Sequence, residues 1–176
     1  MNNETLLKNL RNIPDFPIPG IQFKDVSTLY KNANCLKLML DELYELYKDK
    51  GITKVVGIES RGFVVGAALA AKLGAGFVMC RKPGKLPGDT IKESYMKEYG
   101  EDVIEIHSDA IDEGDVVLIH DDLLATGGSM KAAYNLVQRF KPKATYINVI
   151  IELTIEGLHG RSMFDENTEI TTLLKI

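Results

Sequence analysis

Residues 114–130 read "GDVVLIHDDLLATGGSM": an aliphatic run, two adjacent carboxylates, then small residues and two glycines. The run has the β-branched, unalternating character of a strand buried on both faces of a parallel sheet. Beyond it, "GGSMKAAYNLVQRF" places Met130, Ala133, Tyr134, Val137 and Phe140 on one face of a helix, with Pro142 as its stop. Strand, glycine loop and helix together form part of a βαβ unit. The neighbouring sequence repeats the alternation: "TKVVGIES" reads as a buried strand, "RGFVVGAALAAKLG" as a helix ended by Gly74, and "GFVMCR" and "ATYINVIIEL" as further strands. Residues 33–50 read as an amphipathic helix capped by Asn32 or Asn34 and stopped by Gly51. That alternation is the signature of an α/β fold with a mostly parallel sheet.

The chain has 176 residues, 45% of them hydrophobic, enough for one core that buries roughly 70% of the unfolded surface. A single domain, residues 1–176, is expected. A formal net charge of -4 argues against sequence-independent nucleic-acid binding, which needs clustered Lys and Arg. Cys35 and Cys80 form no CxxC, and His107, His120 and His159 have no metal-ligand spacing. A reduced, cytoplasmic setting is expected. The start, "MNNETLLKNL", lacks the pattern of a signal peptide, and "GFVVGAALAA" is about half of a membrane span.

One segment breaks the alternation. In "KPGKLPGDTIKESYMKEYGEDVIEIH" the first part, with Pro83, Gly84, Pro87 and Gly88, cannot be regular, and the second alternates as a β-hairpin. Such an excursion is more often a lid or binding loop than filler.

In an open α/β sheet, ligands bind beyond the carboxyl ends of the strands. "ESRG" (59–62), "RKPGK" (81–85) and "DDLLATGGS" (121–129) all fall at such ends. Ala125, Thr126, Gly127, Gly128 and Ser129 lie where loop becomes helix, so backbone N–H groups, two hydroxyls and the helix dipole can converge on a phosphate. Thr126 or Ser129 could equally be a helix cap. Asp121 and Asp122 could accept from the vicinal hydroxyls of a ribose and stabilise a ring that becomes cationic; Mg²⁺ ligation, capping and a solvated turn are the other readings. No nucleoside-triphosphate loop or GxGxxG fingerprint is present.

The string "VVLIHDDLLATGGSM" resembles the 5-phosphoribosyl-1-pyrophosphate (PRPP) motif of the type I phosphoribosyltransferases. "FPIPGIQFKDVSTL", "GIESRGFVVGAALA", "RKPGKLPGDT" and "ESYMKEYG" are, in order and spacing, similar to the adenine phosphoribosyltransferase branch of that family, over roughly residues 14–175. The resemblance implies a central, mostly parallel sheet flanked by helices, an N-terminal base-binding hood (1–30) and a flexible lid (82–107). It implies transfer of the 5-phosphoribosyl group from PRPP to N9 of adenine, giving AMP and pyrophosphate through an oxocarbenium-like transition state. Asp121 and Asp122 would hold the ribose, and Ala125 to Ser129 the 5-phosphate. Ser60, Arg61, Arg81, Lys82 and Lys85 would face pyrophosphate, with a cis peptide at Glu59–Ser60 and Arg81 crossing between the subunits of a homodimer. Lys82 could instead belong to a solvated loop. Gln22, Phe23 and Lys24 would bind adenine with Leu123 opposite, although Phe23 by itself reads as a core aromatic. Glu98, followed by Tyr99 in the lid, would take the proton from the base. Mg²⁺ follows from the substrate, with no residue named as its ligand. Lys24, His120 and Ser129 depart from the family's usual arginine, aliphatic residue and threonine; His120 reads as a hydrogen-bonded strand-end residue. A transferase for another purine, or a PRPP-binding regulator, would be the alternatives.

Overall fold

The structure, a computed structural model, describes residues 3–97, 100–155 and 158–176. In chain order the elements are α1 (Asn3–Asn9), β1 (Arg11–Pro14), β2 (Gln22–Asp25), α2 (Ser27–Tyr30), α3 (Ala33–Tyr47), β3 (Lys54–Ile58), α4 (Gly62–Leu73), β4 (Gly76–Cys80), β5 (Thr90–Lys97), β6 (Gly100–His107), β7 (Val116–Leu124), α5 (Gly128–Gln138), β8 (Ala144–Glu152), a 3-10 turn (Gly160–Met163) and β9 (Ile170–Lys175).

Five strands form one sheet in the order β4-β3-β7-β8-β9, every pair parallel. The chain runs outward from β3 to β4, then returns to place β7 on the other side of β3. The order therefore reverses between β3 and β7, and the crevice of the sheet opens at their carboxyl ends. Side chains alternate across the sheet: Val55, Leu118 and Ile150 pack with α1 to α4, while Val56, Ile119 and Val149 pack with α5 and the β5–β6 hairpin. Both faces are covered, which is why these strands read as continuous apolar runs.

The expected elements around the glycine loop are all present. α3 is capped by Asn32, whose side chain accepts from the N–H groups of Asn34 and Cys35, but it ends at Tyr47; the last residues before Gly51 (φ +67°) turn instead of continuing. β7 runs further than expected, through Leu124, so the acid pair lies within the ladder, with Asp121 opposite Val149. Two antiparallel ribbons stand apart from the main sheet, β1–β2 and β5–β6. The second packs on α5, where Arg139 pairs with Glu93 and donates to the Lys92 carbonyl (3.1 Å).

Close approach of α4 to the sheet depends on missing side chains. A Cβ on Gly62 would fall 2.7 Å from the His120 carbonyl oxygen and 3.1 Å from Asp121 Oδ1. Glycine there brings the turn before α4 directly against the acid pair.

Candidate active site

Three strand ends meet at the crevice. After β3, the Glu59–Ser60 peptide is cis, as the resemblance implies, and the Glu59 N–H donates to the Cys80 carbonyl at the end of β4 (2.8 Å). After β7 comes the acid pair, and Arg61 Nε lies 3.1 Å from Asp122 Oδ2. A cavity of about 320 Å³ occupies the junction, lined among others by Ser60, Arg61, Lys82, Tyr95, Asp121, Asp122, Leu123 and the loop Ala125, Thr126, Gly127 and Ser129. A larger cavity of about 630 Å³ lies behind that loop, against Leu124, Leu158 and Phe164. Two of the charged residues lining it, Glu152 and Arg161, pair with each other at 2.7 Å, whereas the acid pair and the glycine loop line the smaller one.

The glycine loop is built from behind. Gly127, at φ +85°, begins α5, and a Cβ on it would meet the Gly160 carbonyl oxygen at 2.7 Å. Gly160 in turn donates its N–H to the Ala125 carbonyl (3.0 Å), and its own Cβ would fall 2.5 Å from that oxygen. From the front, the ring of Tyr95 would stand 3.1 Å from a Cβ on Gly128. No side chain caps α5, so neither Thr126 nor Ser129 acts as its cap. The first-turn N–H groups lack a side-chain partner and converge with the dipole on the cavity, which makes an anion site.

Opposite the anion site are two carboxylates. Asp121 Oδ1 accepts from the Asp122 N–H (2.8 Å). Asp122 is 3% exposed, and its Oδ2 is buried without an aligned hydrogen-bond donor despite the nearby Arg61. Burial, and then the charge of Asp122, raise the Asp121 carboxyl well above its ordinary value. Burial also raises Asp122, with Arg61 pulling the other way. A pair so placed is short of donors and short of positive charge, the condition in which vicinal hydroxyls and a developing cation bind best.

A family model described as a phosphoribosyl transferase domain matches residues 25–171. The chain belongs to the phosphoribosyl transferase family. Among its curated relatives, the adenine phosphoribosyltransferase of Phocaeicola vulgatus is 66% identical over 176 residues, all of both chains. Among solved structures, adenine phosphoribosyltransferase from Rhodothermus marinus matches with a TM-score of 0.91 and 49% identity, over 99% of this chain and 98% of that one. The Saccharomyces cerevisiae enzyme, solved with an imino-altritol bisphosphate and adenine, matches with a TM-score of 0.89 and 40% identity, over 98% of each chain.

In this phosphoribosyl transferase not every residue expected at the site lies in the crevice. Arg81 donates through Nε and Nη2 to the Glu59 carboxylate (3.1 and 3.2 Å) and through Nη1 to the Lys85 carbonyl (3.1 Å). It ties two strand-end loops together, and neither it nor the exposed Lys85 lines the cavity. Lys82 does line it; its ammonium pairs with Asp102 and donates to the Tyr95 hydroxyl (3.0 Å). Gln22, Phe23 and Lys24 lie on β2 beyond the cavity wall and join it through Arg61, whose guanidinium sits 5.3 Å from the Phe23 ring centre. Phe16 meets the same ring edge-on at 5.1 Å. Phe23 is thus only partly buried, beside the site, and is no core aromatic. Glu98 and Tyr99 lie outside the described residues.

Several contributors carried no local signal. Tyr30 donates to the Arg61 carbonyl (3.3 Å); burial first, then the charges of Asp122 and Asp121, push its hydroxyl up. Glu59 also accepts from the Lys82 N–H (2.9 Å). Tyr95 was within reach of a closer reading, as an inward aromatic of the alternating hairpin. Gly160 was not. His120 is buried with Nδ1 2.8 Å from Asn148 Oδ1; it is hydrogen-bonded as expected, but within β7 and not at its end, and its ring faces the α4 side, beside Gly66.

Proposed function

We propose that the chain transfers the 5-phosphoribosyl group from PRPP to N9 of adenine, releasing pyrophosphate and giving AMP. The observation that carries this reading is the shared cavity: it is lined by a helix N-terminus without a side-chain cap, by Asp121 and the buried, donor-poor Asp122, and by the cations Arg61 and Lys82. The loop Ala125, Thr126, Gly127, Gly128 and Ser129 takes the 5-phosphate. Asp121 and Asp122 take the ribose hydroxyls and offset the positive charge that builds on the ring as the C1–O bond to pyrophosphate breaks. Ser60, Arg61, Lys82 and Lys85 receive the pyrophosphate, while Arg81 braces the loop that holds them or reaches the site of a partner subunit.

Adenine is the base that the relatives' names support. It would lie beside Phe23, with Leu123 on the cavity side. The Gln22 carbonyl accepts from the exocyclic amine, and the Lys24 N–H donates to the adjacent ring nitrogen. A 6-oxo purine reverses both roles and leaves polar groups mismatched. Glu98 takes the base's proton as N9 attacks, with residues 82–107 acting as a lid that excludes water and residues 1–30 as the hood.

Among the described residues no three His, Cys, Asp or Glu side chains form a metal cluster. Mg²⁺ would come with the substrate, whose phosphate oxygens would hold it and whose charge it would offset. The active form is a cytoplasmic homodimer: Val64 on α4 and Met79 on the edge strand β4 are 46% and 41% exposed, and sedimentation at twice the 19.5 kDa chain mass would support it. No described helix is long and apolar enough to cross a membrane.

The test is nucleotide formation from PRPP and Mg²⁺ with adenine, hypoxanthine, guanine and xanthine side by side. AMP from adenine alone is expected. Preference for a 6-oxo purine would discard the base site and keep the transferase, and no product from any base would favour a PRPP-binding regulator.

A further inference from the structure

Glu105 stands in the middle of β6 between Ile104 and Ile106, and all three are at most 1% exposed. A carboxylate in that position costs several kcal/mol of lost hydration unless donors surround it. Four do. Oε1 accepts from the N–H groups of Gly84 (2.9 Å) and Leu86 (3.4 Å), and Oε2 accepts from the Thr90 hydroxyl (3.2 Å) and faces the Lys92 ammonium at 3.4 Å. Burial raises the carboxyl, but the bonds from Leu86, Thr90, Lys92 and Gly84 outweigh it and hold the group below its usual range.

Two of those donors belong to the segment between β4 and β5, which has no ladder of its own. The main chain of Glu105 also takes part. Its N–H donates to the Arg81 carbonyl (2.7 Å) and its carbonyl accepts from the Arg81 N–H (2.9 Å), which fixes where the segment begins. From there the backbone turns through Gly84 (φ +75°) and Gly88 (φ +84°). The buried carboxylate does for this loop what a partner strand does elsewhere: it satisfies inward N–H groups and engages neither lysine side chain, so that Lys82 reaches the cavity beside Asp102 and Tyr95 while Lys85 is exposed.

We infer that Glu105 is a positioning residue for pyrophosphate, acting through the shape of the loop that carries Lys82 and Lys85. The inference rests on the reading of that loop as the pyrophosphate contact. Because its lone pairs are already taken by four donors, the carboxylate holds the two lysines in register without drawing them away from an anion. An amide replaces it poorly: turned one way, a glutamine's NH₂ faces the N–H groups of Gly84 and Leu86, and turned the other it faces the Lys92 ammonium, with only the Thr90 hydroxyl able to accept from it.

Kinetics in the AMP-plus-pyrophosphate direction test this. Glu105→Gln is expected to raise KM for pyrophosphate about tenfold or more, with KM for AMP and kcat within about threefold. Glu105→Asp keeps the charge but retreats from the loop by one methylene, and the same split is expected, so the test survives if one variant folds poorly. Lys82→Ala is measured in parallel. If Lys82→Ala raises KM for pyrophosphate while both Glu105 variants leave it unchanged, the inference fails and the loop assignment stands. If none of the three raises it, the loop assignment itself fails. A fall in thermal stability with all constants changed alike would assign Glu105 a purely structural role and overturn the inference.

Discussion

Two like charges side by side are costly, and Asp121 and Asp122 are side by side in a buried strand. Both carboxyls are raised, first by burial. A carboxyl raised in the fold binds protons that the unfolded chain has already released, so its contribution to stability is present below about pH 4 and is lost as pH rises through the folded value. At neutral pH the unliganded fold therefore carries a penalty at this position. Asp121→Asn keeps the acceptor for the Asp122 N–H and removes one charge. It should raise the melting temperature at pH 8, by about 2–4 °C for each kcal/mol relieved, while lowering turnover by about 10²-fold or more. A variant no more stable than the parent would show that Arg61 already offsets the repulsion. The acids themselves were legible in the sequence because "HDD" follows an aliphatic run. Their burial and their pairing with Arg61 were not, because Arg61 lies some sixty residues earlier in the chain.

Among the elements, α5 was the clearest in advance. Its glycines, its apolar face and its proline stop are all local signals, and the structure has the helix there, ending at Gln138 so that Phe140 lies in the turn beyond it. What holds the loop ahead of α5 is not local. The 3-10 turn at Gly160 presses on Ala125 and Gly127 from behind, at distances that no side chain could share. Gly160→Ala would force the loop forward into the cavity, and calorimetric titration of PRPP should show affinity weakened about tenfold or more; unchanged affinity would mean that the turn yields instead. The β5–β6 hairpin was legible from its alternation. The β1–β2 ribbon was not, since its strands have four residues each and β1 ends in proline; the β-branched "ITTLLK" of β9 does carry a strand signal, but too short a one to fix its place at the sheet edge.

Over the whole molecule, the sheet is held from α3 to β9 by polar groups buried in an otherwise apolar layer. His120 on β7 meets Asn148 on β8, and Asn148 donates to Thr171 on β9 (2.9 Å), which contacts Tyr47 of α3. Because Asn148 turns its NH₂ toward Thr171, its oxygen faces the ring, so the proton is assigned to His120 Nδ1; Nε2 is left buried without a partner. Burial pushes the imidazole down to about 4. The unfolded chain takes up that proton near pH 6.5 and the folded chain does not, so stability falls as pH drops from about 6.5 toward 4. Urea unfolding should show about 2 kcal/mol lost between pH 7 and pH 5 from this group alone. His120→Val leaves the Asn148 Oδ1 without its donor and lowers stability at pH 7, but flattens that dependence. An equally steep loss in the variant would assign the acid sensitivity to other groups.

By itself the sequence determined the α/β class, the order of the central elements and the place of the glycine loop before α5. Each of these is written in signals within about fifteen residues: apolar runs, helical spacing, glycines at turns. The resemblance of five such stretches then pointed to the residues at the site. Only the tertiary structure decided how those residues are used. It turned Arg81 onto Glu59, set Gly160 behind the glycine loop and buried Glu105 beneath the loop of Lys82 and Lys85. The physical reason is the same each time. A buried charge or a close backbone approach is made tolerable by a partner elsewhere in the fold, beyond the reach of any helical or strand period, and local sequence carries no record of which partner that is.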